Sequence, residues 1–213
     1  RDTLTSLTLG LGSTFSGLLT FGVPFAASLW LYQHRLFDIP MTAIWAWVAI
    51  FFLEDATYYW FHRIAHERRF WWASHVNHHS SQHYNLSTAL RRVHHARNPF
   101  YLDRNYAGIL IIWDKLFGTF QPELDAERPR YGLVRNLGDF NILRAVFHEW
   151  IGIGRDLVRQ PRHALGWLFG PPGWSPDGSR ETSARLKAEW AGRHGPTAPP
   201  APSAAPAVEP ARP

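Results

Sequence analysis

The chain contains no cysteine. That excludes disulfides, cysteine-held zinc, iron–sulfur clusters and thiolate nucleophiles. It has no Glu-x-x-His pair, and so lacks the carboxylate-rich helical bundle that holds two irons through glutamates. Internal repeats are absent, and so is any stripe of alternating basic and aromatic residues. The net charge of +5 therefore does not point to nucleic acid, and no nucleic-acid partner is expected. Charge itself is missing from Thr3 to Gln33. What the chain has in excess is tryptophan, with 11 residues. An apolar ring with one N–H donor fits best at a membrane–water interface. A length of 213 residues suits one domain of ordinary size. Because the sequence opens on Arg1 rather than Met, a fragment or processed form is expected.

Leu9 to Leu31 is apolar with Gly, Ser and Thr interspersed, as membrane helices tolerate. It is long enough for a hydrocarbon core, which takes about 20 residues. A secretory signal is the rival reading, but the run is too long and no cationic segment precedes it. His34 to Pro40 reads as a turn, and a second apolar run covers Met41 to Leu53, with Glu54 to Trp60 continuing the helix into the headgroup zone. The two runs predict a transmembrane helical hairpin, the Arg-dense side beyond it facing the cytosol. Loop signals (Asn98-Pro99, Gly108, Gly118) surround the apolar run Ile109 to Trp113. Between Asn141 and Arg159, Ile142, Val146, Trp150, Ile153 and Leu157 recur at helical spacing. That helix either lies on a membrane surface or packs on a core. From Gly195 onward Pro and Ala dominate, and this tail is expected to be disordered.

Of 12 histidines, eight fall between positions 62 and 95. His62 and His66 share one helical face at i, i+4, and His75, His78 and His79 repeat the i, i+3, i+4 pattern. His94 and His95 form a third group, and His83 lies in the same window outside the spacing. Imidazole suits iron, zinc, copper and nickel alike. Seven grouped ligands exceed the three or four that one zinc site takes; they suit two metals with open positions. Glu54 and Asp55 either hydrogen-bond the far nitrogens of ligand histidines or mark a helix end at the interface. His34, His148, His163 and His194 are read as structural or surface residues.

Three histidine boxes in this order resemble the fatty acid hydroxylase and sterol desaturase superfamily. Longer strings, DATYYWFHRIAHE (Asp55 to Glu67), HHSSQHYNLSTALR (His78 to Arg91) and RVHHARNPFYLDRNYAGILIIWDKLFGTF (Arg92 to Phe120), look like its alkylglycerol monooxygenase branch. Tyr131 to Val134 and Gly170 to Pro176 extend the similarity. The resemblance implies an iron-dependent membrane oxygenase that hydroxylates a lipid C–H bond on a fatty acyl, sterol or alkylglycerol ether substrate. It implies two iron ions held by His62, His66, His75, His78, His79, His94 and His95, with dioxygen as co-substrate. The external electron donor would be tetrahydrobiopterin or an electron-transfer protein. In the family an apolar section separates the second and third boxes. Here Leu90-Arg91 runs straight on to Arg92-Val93-His94-His95, with Arg91 where another histidine is usual. An internal deletion near Arg91, weakening at least one iron site, is therefore expected.

The resulting expectation is an all-α integral membrane protein: a transmembrane hairpin over 1–60, a cytoplasm-facing histidine-box di-metal region over 61–120, an amphipathic or interfacial region over 121–190, and a disordered tail over 191–213. Two other readings stay open, an inactive membrane metal-binding remnant and a membrane zinc hydrolase.

Overall fold

The computed structural model describes residues 2–81, 91–138 and 141–194. Regular structure among them is helical: α1 (Asp2–Thr20), α2 (Gly22–Gln33), α3 (Ile44–Glu67), α4 (Arg69–His75), α5 (Ile112–Leu116), α6 (Ile142–Arg159), α7 (Ala164–Phe169) and α8 (Ser183–His194), with a 3-10 turn at Pro161–His163. Strand-like pairing among the described residues is limited to isolated bridges, Ala96 with Tyr131 and Leu124 with Glu127. The all-α expectation holds. His83, the Leu90 side of the expected deletion and the Pro/Ala tail from Gly195 lie outside the described residues.

The uncharged run folds as α1 and α2, which meet at Phe21; its backbone keeps helical angles (φ −54°, ψ −32°). Among the described residues no helix is long and apolar enough to cross a membrane. α2 buries none of its residues, and Trp30, Leu31, Ile44, Trp45 and Leu53 stand exposed along α2 and the first half of α3. The expected turn at 34–40 forms, and α3 then runs past Trp60 to Glu67, carrying both members of the first histidine box. Arg68, with extended backbone (φ −129°, ψ 123°), ends α3 and turns the chain into α4.

The interior reverses the usual sorting of side chains, in which buried polar groups and exposed apolar patches carry the information. Tyr59, Tyr101, Tyr106, Asn98 and Asp114 are among the largest fully buried side chains, and five histidines are buried with them. Buried polar groups need partners, and outside the histidine rings a dense hydrogen-bond net supplies most of them. α6 begins where the Asn141 side chain accepts from the Arg144 amide, a helix cap of the usual kind. It buries Ala145, Ile153 and Asp156 against α4 and α7, and leaves Leu143, Phe147, Ile151 and Val158 exposed. One face of this helix is thus a core face. Arg69 at the start of α4 joins the two elements: its Nε donates to Glu149 at 2.5 Å and its Nη1 to Asp156 at 2.7 Å. Arg180 closes the net with two further bonds to Asp156, each 2.7 Å.

Candidate metal centre

His62 and His66 lie one helical turn apart on α3, and α4 folds back so that His75 faces them. Two successive turns after α4 (His78 N–H to His75 O, His79 N–H to Val76 O) bring His79 round to the same side. A further turn at 91–96 delivers His94. One ring nitrogen from each of His62, His66, His75, His79 and His94 lies within 4.8 Å of all the others. The remaining two expected ligands sit on the flank of this group rather than inside it. His78 and His95 have ring centroids 4.5 Å apart, and His95 lies 4.6 Å from His79. His34, His148, His163 and His194 make other contacts and take no part in the group.

Some of these nitrogens stand within hydrogen-bond reach of one another, while others face no partner. His75 Nε2 stands 3.1 Å from His62 Nε2 and 3.2 Å from His79 Nε2. The Nδ1 of His62 donates to the Tyr106 carbonyl at 2.7 Å, so its Nε2 carries a lone pair and no hydrogen. Four buried side-chain nitrogens or oxygens lack a partner among the described residues, and three of them are His66 Nε2, His94 Nε2 and His95 Nδ1. Orphaned buried acceptors are costly. Converged imidazole lone pairs with no carboxylate among them fit a divalent transition-metal ion, and five such donors around one point exceed a zinc site.

Burial, and then repulsion between neighbouring rings, drives the protonated forms out. His62 and His95 are lowered to about 3 and His75 to about 2, while His79 and His94 fall well below the ordinary histidine value. Neutral rings are what a metal requires. The sign for metal-free protein follows. Below about pH 6.5 the unfolded chain takes up protons that the folded rings refuse, so stability is lost as pH falls toward 3. The slope should reach about 1.4 kcal/mol per pH unit for each ring kept neutral. Chemical unfolding of the metal-free protein between pH 7.5 and 5 measures this, and a flat profile contradicts the neutral cluster.

Two sequence readings need correction. Asp55 does not reach the histidines, and it does not mark a helix end, because α3 continues for three more turns. Its carboxylate accepts from the Ile109 and Leu110 amides (2.8 and 3.0 Å) and from Trp113 Nε1 (2.9 Å); Glu54 is exposed. Asp55 therefore fastens the returning loop. Arg91 donates to Tyr58 Oη and to the Gly108 carbonyl, both at 3.1 Å. Its Nη1 lies 3.4 Å from His62 Nδ1, but that nitrogen is already donating to Tyr106, so two donors lie side by side without bonding. Residues that sequence reasoning missed are Asp103, Arg104 and Tyr106, whose oxygens face the outer nitrogens of His66, His94 and His62.

A cavity of about 340 Å³ opens beside the group. His66, His79, His94 and His95 form one wall, with Trp72 and Leu133 among the apolar lining and Arg97 and Arg135 among the charged.

Residues 47–92 match the family described as fatty acid hydroxylase. The human alkylglycerol monooxygenase is 32% identical over 238 residues, covering 82% of this chain and 53% of the relative. The zebrafish (Danio rerio) alkylglycerol monooxygenase is 32% identical over 83% of this chain and 53% of its own length. That of Caenorhabditis elegans is 30% identical over 83% and 49%.

The chain belongs to the fatty acid hydroxylase family.

Within that family its similarity is to the alkylglycerol monooxygenase branch, and it spans about half the length of the curated relatives it matches. The alignment with the human relative runs over 238 residues while using 82% of a 213-residue chain. The relative thus holds residues without counterparts here. No solved structure matches. The family match ends at residue 92, so it takes in the first two histidine boxes and stops just short of His94.

Proposed function

We propose that the chain is an integral membrane, iron-dependent oxygenase that hydroxylates a lipid C–H bond with dioxygen, its histidine region facing the cytoplasm. The observation that carries the reading is the convergence of five imidazole nitrogens, free of carboxylate, in a chain of this family. The name of the relatives favours an alkylglycerol ether among the candidate lipids. Exposed aromatic and aliphatic side chains on α2 and the first half of α3 support burial of that region in lipid.

In this reading His62, His66, His75, His79 and His94 hold one ion, and His78 and His95, beside His79, begin the second site. Bound iron supplies dioxygen reduction and attack on an unactivated C–H bond, which no acidic or basic side chain achieves unaided. The chain's own residues do the rest. Burial keeps the rings neutral and excludes water. The Nδ1–H groups of His62 and His94 are tied to backbone carbonyls and stay turned outward. The cavity beside the group gives reactants access, and an external reductant, tetrahydrobiopterin or an electron-transfer protein, supplies electrons.

The test uses the full chain in lipid nanodiscs, loaded anaerobically with ferrous iron. The expected result is about two irons per chain and oxygen uptake that requires both an alkylglycerol and a reductant, either tetrahydrobiopterin or a reduced electron-transfer protein. Iron retained with no uptake would mark an inactive metal-binding remnant. Zinc retention with oxygen-independent hydrolysis would replace the oxygenase reading altogether.

A further inference from the structure

One short segment, residues 103–106, faces three of the five clustered rings from behind. Asp103 Oδ1 stands 3.5 Å from His66 Nδ1, the Arg104 carbonyl accepts from His94 Nδ1 at 3.0 Å, and the Tyr106 carbonyl accepts from His62 Nδ1 at 2.7 Å. The outer nitrogen of a ring decides which tautomer it adopts and how it is turned. In each of these three rings the acceptor engages Nδ1, which leaves Nε2 to point inward. His66 Nε2 and His94 Nε2 are the buried nitrogens without partners.

The segment holds a shape that a free loop would not keep. Asp103 and Asn105 both have left-handed backbone (φ 50° and 58°), a conformation that costs most residues energy and that Asn and Asp tolerate best. Three successive amides, of Asn105, Tyr106 and Ala107, are fastened. The Asn105 amide donates to the Thr119 carbonyl at 3.0 Å, and its side chain exchanges two bonds with Gln121. The buried Asp114 carboxylate takes the Tyr106 and Ala107 amides at 2.8 and 2.9 Å. α8 reaches the same segment, with Lys187 Nζ 3.8 Å from Asp103 Oδ2.

We infer that residues 103–106 form a rigid positioning strap, in which Asp103, with the Arg104 and Tyr106 carbonyls, sets the tautomer and orientation of His66, His94 and His62 before any metal binds. The inference rests on reading the histidine group as a metal centre. Asp103 is a positioning residue, since it reaches the centre only through His66. Asn105 hydrogen-bonds to Thr119 and Gln121 rather than to a histidine of the group and acts by holding the strap's backbone.

The experiment titrates Co(II) into the metal-free full chain and records both affinity and the visible ligand-field spectrum. Asp103→Gly keeps the left-handed backbone and deletes the acceptor; Asp103→Asn keeps backbone and acceptor and deletes the charge. Asp103→Gly should bind Co(II) about ten- to a hundredfold more weakly, with a shifted spectrum, while the Asn variant recovers most of the affinity. Asn105→Gly, which preserves φ and removes the Gln121 clamp, should shift the spectrum in the same direction. Parent affinity and spectrum in Asp103→Gly would overturn the strap while leaving the metal centre standing. If Asp103→Gly fails to fold, Asn105→Gly decides by the same spectral criterion. A parent chain that binds no Co(II) would remove the metal-centre reading and the strap with it.

Discussion

Replacing His79 with alanine should strip the protein of metal. Among the expected ligands this ring is the most central. It is buried, its Nε2 lies 3.2 Å from His75 Nε2, and its centroid stands 4.7 Å from His66, 4.8 Å from His94 and 4.6 Å from His95. It belongs to the five-nitrogen group and also borders the His78–His95 pair, so both proposed sites lose a wall at once. Apparent binding free energies for four-ligand sites run to about 10–16 kcal/mol, so one ligand is worth roughly 3 kcal/mol, or more than a hundredfold in affinity. Alanine supplies no donor, and the remaining rings cannot close the gap because the strap and α3 fix them. Iron content by elemental analysis should drop by at least one equivalent, and oxygen uptake should vanish with it. His163→Ala is the control, since that ring lies in the 3-10 turn away from the group; it should retain full iron. Equal iron in the two variants would show that the convergence of rings does not hold metal.

The parts of the site that spacing could reveal are those in which one element supplies both residues. His62 and His66 share a helix face, and His75 and His79 repeat that separation through a helix end and two turns. Both pairs were readable because the separation in sequence equals a short distance in space. His94 stood out as half of an adjacent histidine pair in the same window, and the family strings added its role as a ligand. The strap was not readable in that way. Arg104 and Tyr106 act through backbone carbonyls, which no residue type announces, and Asp103 is one acidic residue among many until the loop brings it to His66. Asp55 shows the opposite failure. It sits seven residues before His62 on the same helix, so a link to the histidines was a natural reading. A loop more than fifty positions further on claims its carboxylate instead. The shared face of His62 and His66 requires the helix to run past Trp60, and α3 does so, stopping only at the extended backbone of Arg68.

Arg69→Ala should cost the fold more than any other single replacement outside the histidine group. The guanidinium is buried, at 4% exposure, and it bonds Glu149 at 2.5 Å and Asp156 at 2.7 Å across the α4–α6 contact. Removing one partner of a buried ion pair leaves uncompensated charge and costs about 3–5 kcal/mol. Asp156 keeps Arg180, which places the expected loss near the low end, about 3 kcal/mol. For a chain of this size that lowers the melting temperature by roughly 6–12 °C. Acid should act on the same net. Hydrogen bonds from Arg180, and from Arg69 after the opposing effect of burial, hold the Asp156 carboxyl below its usual range, so its contribution is present above about pH 4 and fades as pH falls below that. The variant should therefore lose less than the parent on acidification in that window. The consequence reaches the metal as well, because α4 carries His75. Loosening α4 from α6 frees that ring, so Co(II) should bind more weakly to Arg69→Ala. Saturating metal should in turn recover part of the lost melting temperature, since a ligand that binds only the folded state stabilises it by mass action. A melting temperature within 2 °C of the parent would show that the Arg69 net is dispensable, and that packing against α3, α6 and α7 holds α4 in place without it.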